Sequence, residues 1–251
     1  MKGIEVTNSA ADATPLVYSR VAGLAYLVII VVAILNVSLI DANLIVPGDD
    51  AATANNIMAN DLLFRLGIVG VLVVYASVVV LSLALYSLLK TVNQNLALLA
   101  LLLRSGEAVL GAATVLLSFT ALLLLNRTGT SAAFEAEQLQ ALAGLLLDVR
   151  TAGLDVVLIF VGLGGTVFCY LFFASKCVPR VLAVWGMFTY SSMLVLALVS
   201  ILLPNHSATL EVVLYALGAL FELIFGLWLL IKGVTNTPEM ANKAPAAPEN
   251  A

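Results

Sequence analysis

The sequence predicts an all-α membrane protein, a polytopic bundle of six transmembrane helices with an additional helix on the outer membrane surface. Of its 251 residues, 62% are hydrophobic and only 10% are charged, whereas about 25% of the residues of a soluble domain are charged. So little charge cannot cover a water-facing surface. The apolar residues also form six continuous stretches of about 20 residues or more, enough for an α-helix to cross a hydrocarbon core about 30 Å thick. We expect the spans at about residues 18–40, 62–89, 96–125, 154–175, 181–203 and 209–231.

The composition also excludes other classes of structure and partner. The apolar stretches are rich in Leu and Ala and lack the alternation of a membrane β-barrel. The net charge of -4 and the lack of a Lys and Arg cluster argue against nucleic-acid binding. The one histidine and two cysteines make neither a metal set nor a disulfide framework. We therefore expect no cofactor and no metal, with membrane lipids as the first partners.

The segments outside the spans are short. Residues 1–16 form a polar N-terminal tail, residues 17–234 form the membrane domain, and residues 235–251 form a tail rich in Pro, Ala and Asn. Such a tail is expected to be disordered. In the first loop, Asp50 can cap a short helix over residues 51–59.

The third loop predicts a surface helix. Ser131 can cap a helix over about residues 132–150. Its apolar side chains fall on one broad side, with Glu135 and Glu137 near the favourable N-terminus. We expect this helix to end before span four and to lie on the outer membrane surface.

The distribution of Lys and Arg predicts the orientation, because cytoplasmic loops carry the excess of basic residues. The first loop, residues 41–61, contains four aspartates and no basic residue. Arg127 and Arg150 in the third loop oppose the trend. The other basic residues place both termini on the cytoplasmic side of the cell membrane: Lys2, Arg20, Lys90, Lys176, Arg180, Lys232 and Lys243.

Five short segments together resemble a known family. The most specific are LIVPGDDAATANNI at residues 44–57 and LFRLGI at residues 63–68. Further matches are LLLRSGEAVL at residues 101–110, VPRVLAV at residues 178–184 and LWLLIKGV at residues 227–234. Over nearly its whole length the chain resembles a bacterial family of integral membrane proteins, domain of unknown function 4386. The resemblance implies a six-helix bundle in the bacterial inner membrane, and it implies no established activity.

Three ionisable residues lie inside the predicted spans, where a charge costs roughly 2.5–3.5 kcal/mol on insertion scales. Arg104 and Glu107 belong to span three, and Glu222 belongs to span six. At about 1.5 Å per residue, all three lie roughly 13–18 Å from the cytoplasmic ends of their helices. We therefore expect Arg104 to contact Glu222, Glu107 or both. Such a cluster either binds or moves something, or it is an ion-paired clasp that fixes helix register.

Small and polar residues near these charges indicate a helix surface that faces the interior of the bundle. On span three, Gly111, Thr114 and Ser118 fall on the same narrow stripe as Arg104 and Glu107. The remainder of this helix is built of Leu, Val and Ala. We expect the stripe to face the other helices.

Two further sets of residues are predicted on neighbouring spans. Arg65 and Asp155 lie near the outer ends of spans two and four and could form a second pair, although residues at this depth can also reach the interface. On span four, Gly162, Gly164 and Gly165 are typical of positions where helices pack closely.

The sequence carries none of the common catalytic signatures, whether a GxSxG elbow, an HExxH zinc motif or a P-loop. We therefore expect a non-enzymatic binding or regulatory module for a lipid-like or apolar ligand, or for a membrane-protein partner. The alternative is a proton-coupled carrier of a small solute that uses Glu107 or Glu222. A lipid-modifying membrane enzyme ranks last, because no span supplies a nucleophile together with a base.

Overall fold

The computed structural model describes residues 8–127, 134–203 and 208–234, with side chains from residue 15 onward except those of residues 208 and 209. The described chain is helical throughout its secondary structure and contains no strand, which confirms the all-α class. The helices are α1 (Asn8–Leu35), continued by a π-helix (Asn36–Asp41) and by α2 (Ala42–Leu44), then α3 (Asp50–Ala59), α4 (Asp61–Leu89), α5 (Gln94–Leu125), α6 (Ala136–Ser175), α7 (Arg180–Leu202) and α8 (Ala208–Ile231).

Six of these helical stretches are long and apolar enough to cross a membrane, and their most apolar windows have mean hydropathies from 1.8 to 2.7. Their outer surfaces expose large apolar side chains, such as Leu62 and Val109 at 70% and Val181 at 78%. A surface of this kind suits lipid rather than water, because lipid tails are as apolar as these side chains. The protein is a multi-pass membrane protein, and its candidate spanning helices begin and end within a few residues of the expected spans except at spans one and four.

Span four differs from the prediction at its beginning. The helix expected over residues 132–150 does not end before the span, because α6 runs without a break from Ala136 to Ser175. At about 1.5 Å per residue, its 40 residues reach about 60 Å. The segment that joins the two expected helices contains one glycine, Gly153, and no proline, so nothing ends the helix there. A separate surface helix is therefore replaced by one long helix.

The beginning of α6 is held by a different cap from the expected one. The side chain of Glu135 and that of Gln138 exchange hydrogen bonds with the backbone as a capping box, and the Glu135 amide donates to Gln138 Oε1 at 3.1 Å. Ser131, the expected cap, lies outside the described residues. In the first loop, the cap of α3 is Asp49 rather than Asp50, since the Asp49 carboxylate accepts from the Ala52 amide at 2.8 Å.

The six spanning stretches form a closed ring in chain order. Helix α1 packs against α4, α4 against α5, α5 against α6, α6 against α7, α7 against α8, and α8 returns to α1. Helices α5 and α8 therefore lie on opposite sides of the ring. The loops divide the bundle into two ends, a basic end with Lys90, Lys176, Arg180 and Lys232, and an acidic end with Asp41, Asp49, Asp50 and Asp61.

The acidic end has a small core of its own beneath α3. This helix packs against the first part of α6, which explains why α6 extends beyond the length of a span. Asn36 in the π-helix anchors α1 to α4, because its Nδ2 donates to the Gly67 carbonyl at 2.9 Å. The buried apolar residues of this core are Ile40, Leu44, Ala54, Ile57, Phe64, Ala121, Leu122, Leu125, Ala143 and Leu147.

Candidate functional site

Arg104 and Glu107 form an ion pair in the interior of the ring. Arg104 Nη1 lies 2.7 Å from Glu107 Oε2, and the two side chains are only 4% and 5% exposed. The pair is local, because residues three apart face each other on a helix. Glu107 Oε2 receives no aligned hydrogen bond from the described residues, so its contact with Arg104 is mainly electrostatic. The predicted pairing of Arg104 with Glu107 is confirmed.

Glu222 has a different partner from the one expected. Its Oε1 accepts a hydrogen bond from the Tyr190 hydroxyl at 2.9 Å, and that hydroxyl lies 3.3 Å from the hydroxyl of Tyr26. The ion pairs among the described residues do not include Arg104–Glu222. Of the contacts expected for Arg104, the structure therefore forms the one with Glu107 and no direct ion pair with Glu222, because α5 and α8 lie on opposite sides of the ring.

We call Arg104, Glu107, Tyr26, Tyr190 and Glu222 the central cluster. They come from four different helices, and the Arg104 guanidinium lies near enough to Tyr26, Tyr190 and Glu222 to interact with them electrostatically. The two tyrosines were not predicted from the sequence, because an aromatic residue in an apolar helix has no distinctive pattern. Gly165, which faces the Tyr190 ring, and Gly226, which faces Tyr26, are the sequence features that could have indicated them.

The glycines of α6 make room for the central cluster. A Cβ at Gly164 would lie 2.9 Å from Arg104 Cγ, and a Cβ at Gly165 would overlap the Tyr190 ring. A Cβ at Gly162 would lie 2.8 Å from the Tyr190 carbonyl oxygen, where α6 and α7 cross closely. All three residues are packing positions, as the sequence predicts, and two of them admit a polar side chain to the interior.

Arg65 and Asp155 are not brought together. Arg65 Nε donates to Asp61 Oδ2 at 2.6 Å and Nη2 donates to Asp61 Oδ1 at 3.2 Å, one turn away on the same helix. Both side chains of this pair are more than one third exposed. Arg65 therefore has a local partner at the beginning of α4 instead of the expected partner on α6.

A cavity of about 190 Å³ lies between α1 with its π-helix, α4, α5 and α6, near the acidic end. We call it the end cavity. Most of its wall is apolar, and its polar residues come from all four elements. The polar residues are Asn36, Asp41, Tyr75, Thr114, Ser118 and Arg150, and the apolar ones are Ala33, Val37, Ile40, Phe64, Gly67, Ile68, Val71, Val74, Val115 and Leu154.

An ion pair crosses the polar part of the end cavity. Arg150 Nη2 lies 3.1 Å from Asp41 Oδ1, and Arg150 Nη1 donates to Ser118 Oγ at 3.4 Å. One side chain thus links α6 to both α5 and the π-helix of span one. A π-helix is rare and frequently occurs at functional sites. In the sequence, Arg150 stands out because it lies in a loop expected to be on the outer side, whereas most basic residues lie in the loops expected to be cytoplasmic. This departure from the trend was the sequence feature that could have pointed to its ion pair with Asp41.

The polar stripe of α5 connects the central cluster to the end cavity. Glu107 and Gly111 are buried in the ring, and Thr114 and Ser118 line the cavity. The ring of Tyr75 occupies the space beside Gly111, since a Cβ there would overlap it. The predicted inward orientation of the stripe is confirmed.

The other polar residues add no metal ligands to this region. Among the described residues, no group of three or more His, Cys, Asp or Glu is placed to hold a metal ion. Cys169 and Cys177 are buried, and they form no disulfide bond with each other. Burial also raises the pKa of the Cys177 thiol, which lies in the turn between α6 and α7.

The fold and the site thus define a class of protein: a six-helix membrane bundle with a buried charged cluster and a small, largely apolar cavity at one end. Comparison with models of protein families assigns the chain to one family. The model of the family described as Domain of unknown function (DUF4386) matches residues 21–233, and the chain belongs to this family. This confirms the resemblance seen in the sequence. No curated protein and no solved structure matches the chain.

Proposed function

We propose that the protein is a membrane-embedded binding protein whose ligand is a small, mainly apolar molecule held in the end cavity. The observation that carries this proposal is the cavity itself, about 190 Å³ with mainly apolar walls and a few convergent polar groups. Such a combination is typical of small-molecule sites, where apolar walls supply affinity and polar groups fix orientation. An engineered apolar cavity of about 150 Å³ is large enough for benzene. The end cavity therefore suits a short alkyl or ring compound, or the end of a lipid chain.

The arrangement of the carboxylates favours binding over proton-coupled transport. In a proton-coupled carrier that uses Glu107 and Glu222, we expect both carboxylates to line the pathway of the proton and the solute. Instead, Glu107 is paired with Arg104, and Glu222 is bonded to Tyr190 on the far side of the ring. Neither carboxylate lines the end cavity, although Glu107 interacts electrostatically with Tyr75 in the cavity wall. The carrier is therefore the second candidate, supported by the polar stripe that leads from this pair to the cavity.

Photolabelling of the protein in lipid nanodiscs tests the binding proposal. The probe is a diazirine derivative of 1-octanol, and mass spectrometry maps the labelled residues. We expect labelling of cavity residues such as Tyr75 and Val71, and we expect excess 1-octanol to remove it. Val115→Phe, which fills the cavity from α5, should reduce this labelling at least about tenfold, because the added ring occupies the space of the ligand.

A matched control separates the cavity from the lipid-facing surface. Val109→Phe makes the same change on the same helix, but Val109 is 70% exposed on the outside of the bundle. It should leave cavity labelling unchanged. If Val115→Phe impairs folding, Ala33→Leu fills the same cavity from α1. Labelling that spreads along the outer surfaces and is equal in all variants would refute the binding proposal.

We further propose that the basic end faces the cytoplasm, so that the end cavity lies on the outer side of the cell membrane. The absence of Lys and Arg from residues 41–61 supports this orientation. In intact cells, a membrane-impermeant maleimide should label Ala51→Cys, an exposed position on α3 that leaves the Asp49 cap in place. It should label Lys90→Cys only after permeabilisation. The native cysteines are buried, so they should give little background. The opposite pattern would invert the orientation.

A further inference from the structure

We infer that the ligand of the end cavity carries a neutral hydrogen-bonding group, a hydroxyl or a carbonyl, rather than a charged headgroup. The inference rests on the proposed function and names the chemistry of its ligand. Three features of the cavity wall support it: the charge balance of the wall, the hydrogen-bonding capacity that its residues retain, and the apolar character of the remaining lining.

The charges at the cavity wall balance within the protein. Arg150 and Asp41 are the charged residues of the lining, and they pair with each other at 3.1 Å with side chains 22% and 30% exposed. Deeper along α5, Glu107 is paired with Arg104. An anionic ligand would have to displace Asp41 from Arg150, and a cationic ligand would have to displace Arg150 from Asp41. Either exchange breaks a pair and leaves the displaced charge partly desolvated. A neutral group meets no such penalty.

The wall retains both donors and acceptors for a neutral group. Thr114 Oγ1 donates to the Gly111 carbonyl at 2.7 Å and keeps its lone pairs. Asn36 Nδ2 donates to Gly67, which leaves its carbonyl oxygen as an acceptor. Ser118 Oγ accepts from Arg150 and can still donate its own proton. Tyr75 also lines the cavity, and its phenolic hydroxyl can donate or accept a hydrogen bond.

These hydrogen-bonding groups lie on more than one side of the cavity. Tyr75, Thr114 and Ser118 project from α4 and α5, and Asn36 projects from the π-helix opposite them. Apart from the paired Asp41 and Arg150, Gly67 and Phe64, the rest of the lining is aliphatic. A molecule with one polar group at the hydroxyl-bearing wall and a short apolar body fits this distribution. 1-Octanol is a simple probe of the class, and its ionised analogues test the role of charge.

The experiment compares 1-octanol with octanoate and octylammonium as competitors of the photolabelling described above. The pH is chosen so that both analogues are ionised, and the three are compared at equal concentrations in the bilayer. With the native protein we expect 1-octanol to compete about tenfold better than either ion. An ionised headgroup has to separate Arg150 from Asp41 before it can bind either residue, and the loss of one hydrogen bond to a charged group corresponds to about this factor. Equal competition by octanoate or octylammonium would overturn the inference.

Two variants test the charge balance directly. Asp41→Asn leaves Arg150 without its counter-charge and should shift the preference toward octanoate by about tenfold relative to 1-octanol. Asp61→Asn is the matched control, because it removes the same charge from the Asp61–Arg65 pair, which does not line the cavity. It should leave the preference unchanged. An equal shift in both variants would contradict the inference, since it would reflect overall charge.

Two further outcomes are distinguishable. If Asp41→Asn does not fold, Arg150→Gln tests the same balance with the opposite sign and should favour octylammonium. If the probe labels no cavity residue in the native protein, the proposed function itself fails. If it labels the cavity and all three competitors act equally, the binding function stands and the neutral-ligand inference fails.

Discussion

Glu107→Gln is expected to destabilise the protein by about 3–5 kcal/mol, the typical cost of removing one partner from a buried ion pair. The reason is that the guanidinium of Arg104, a residue only 3% exposed, would remain in the interior of the ring without its counter-ion. The measurement is the free energy of unfolding of the purified protein in mixed micelles, with helix content as the signal. The double variant Arg104→Met/Glu107→Gln should recover a large part of the loss, because it removes both charges together.

A second double-mutant cycle distinguishes this pair from the one expected from sequence alone. Arg104→Met and Glu222→Gln should couple less strongly than Arg104→Met and Glu107→Gln, because Arg104 and Glu222 interact electrostatically but form no direct ion pair. Tyr190→Phe and Glu222→Gln should couple more strongly, since they remove the same hydrogen bond. A coupling between Arg104 and Glu222 as large as that between Arg104 and Glu107 would contradict the structure.

The second large effect is expected at the crossing of α6 and α7. Gly162→Ala should cost about 1–3 kcal/mol, because its Cβ would lie 2.6 Å from Leu194 Cβ and 2.8 Å from the Tyr190 carbonyl oxygen. Gly162→Leu should prevent folding altogether, since no side-chain rotation can relieve contacts with the backbone of α7. The measurement is the yield of folded, monodisperse protein after extraction, followed by the unfolding free energy of the alanine variant.

Gly153→Ala is the control on the same helix. Its nearest neighbour would be the Thr114 methyl group at 3.2 Å, which can move by a few tenths of an ångström. Alanine also favours a helix by about 0.8–1.0 kcal/mol over glycine. We therefore expect this variant to be neutral or slightly more stable. Equal losses at both positions would contradict the attribution of the cost to the close crossing of α6 and α7.

Much of this architecture is readable from the chain because it depends on local chemistry. A span requires about 20 apolar residues, so each of the six stretches can be recognised from its own residues without knowledge of the helices that pack against it. The stripe of α5 is equally local, since the period of 3.6 residues places Glu107, Gly111, Thr114 and Ser118 on one face. The pair of Arg104 with Glu107 follows from the same period. The tendency of small residues to occur at helix crossings likewise identified Gly162, Gly164 and Gly165 as packing positions.

The tertiary structure decided which helices face each other, and this changed the partners of several residues. Depth along the membrane placed Glu222 level with Arg104, but depth does not determine the order of helices in the ring. That order puts α5 opposite α8 and brings Tyr26 and Tyr190 between them. Arg65 likewise found a partner one turn away on its own helix instead of Asp155 on α6.

The end cavity depended entirely on tertiary packing. Its wall combines residues from four segments that are far apart in sequence, and Arg150 lies 109 positions from Asp41. The π-helix that carries Asp41 has no sequence signature, and α6 could extend as one helix only because α3 and the end of α5 give its first turns something to pack against. The sequence by itself determined the number of spans and the inward face of α5, because hydropathy and helical period act over a few neighbouring residues. The partners of Glu222 and Arg150 and the shape of the cavity were decided by the closure of the ring, because they depend on contacts between helices that no local pattern encodes.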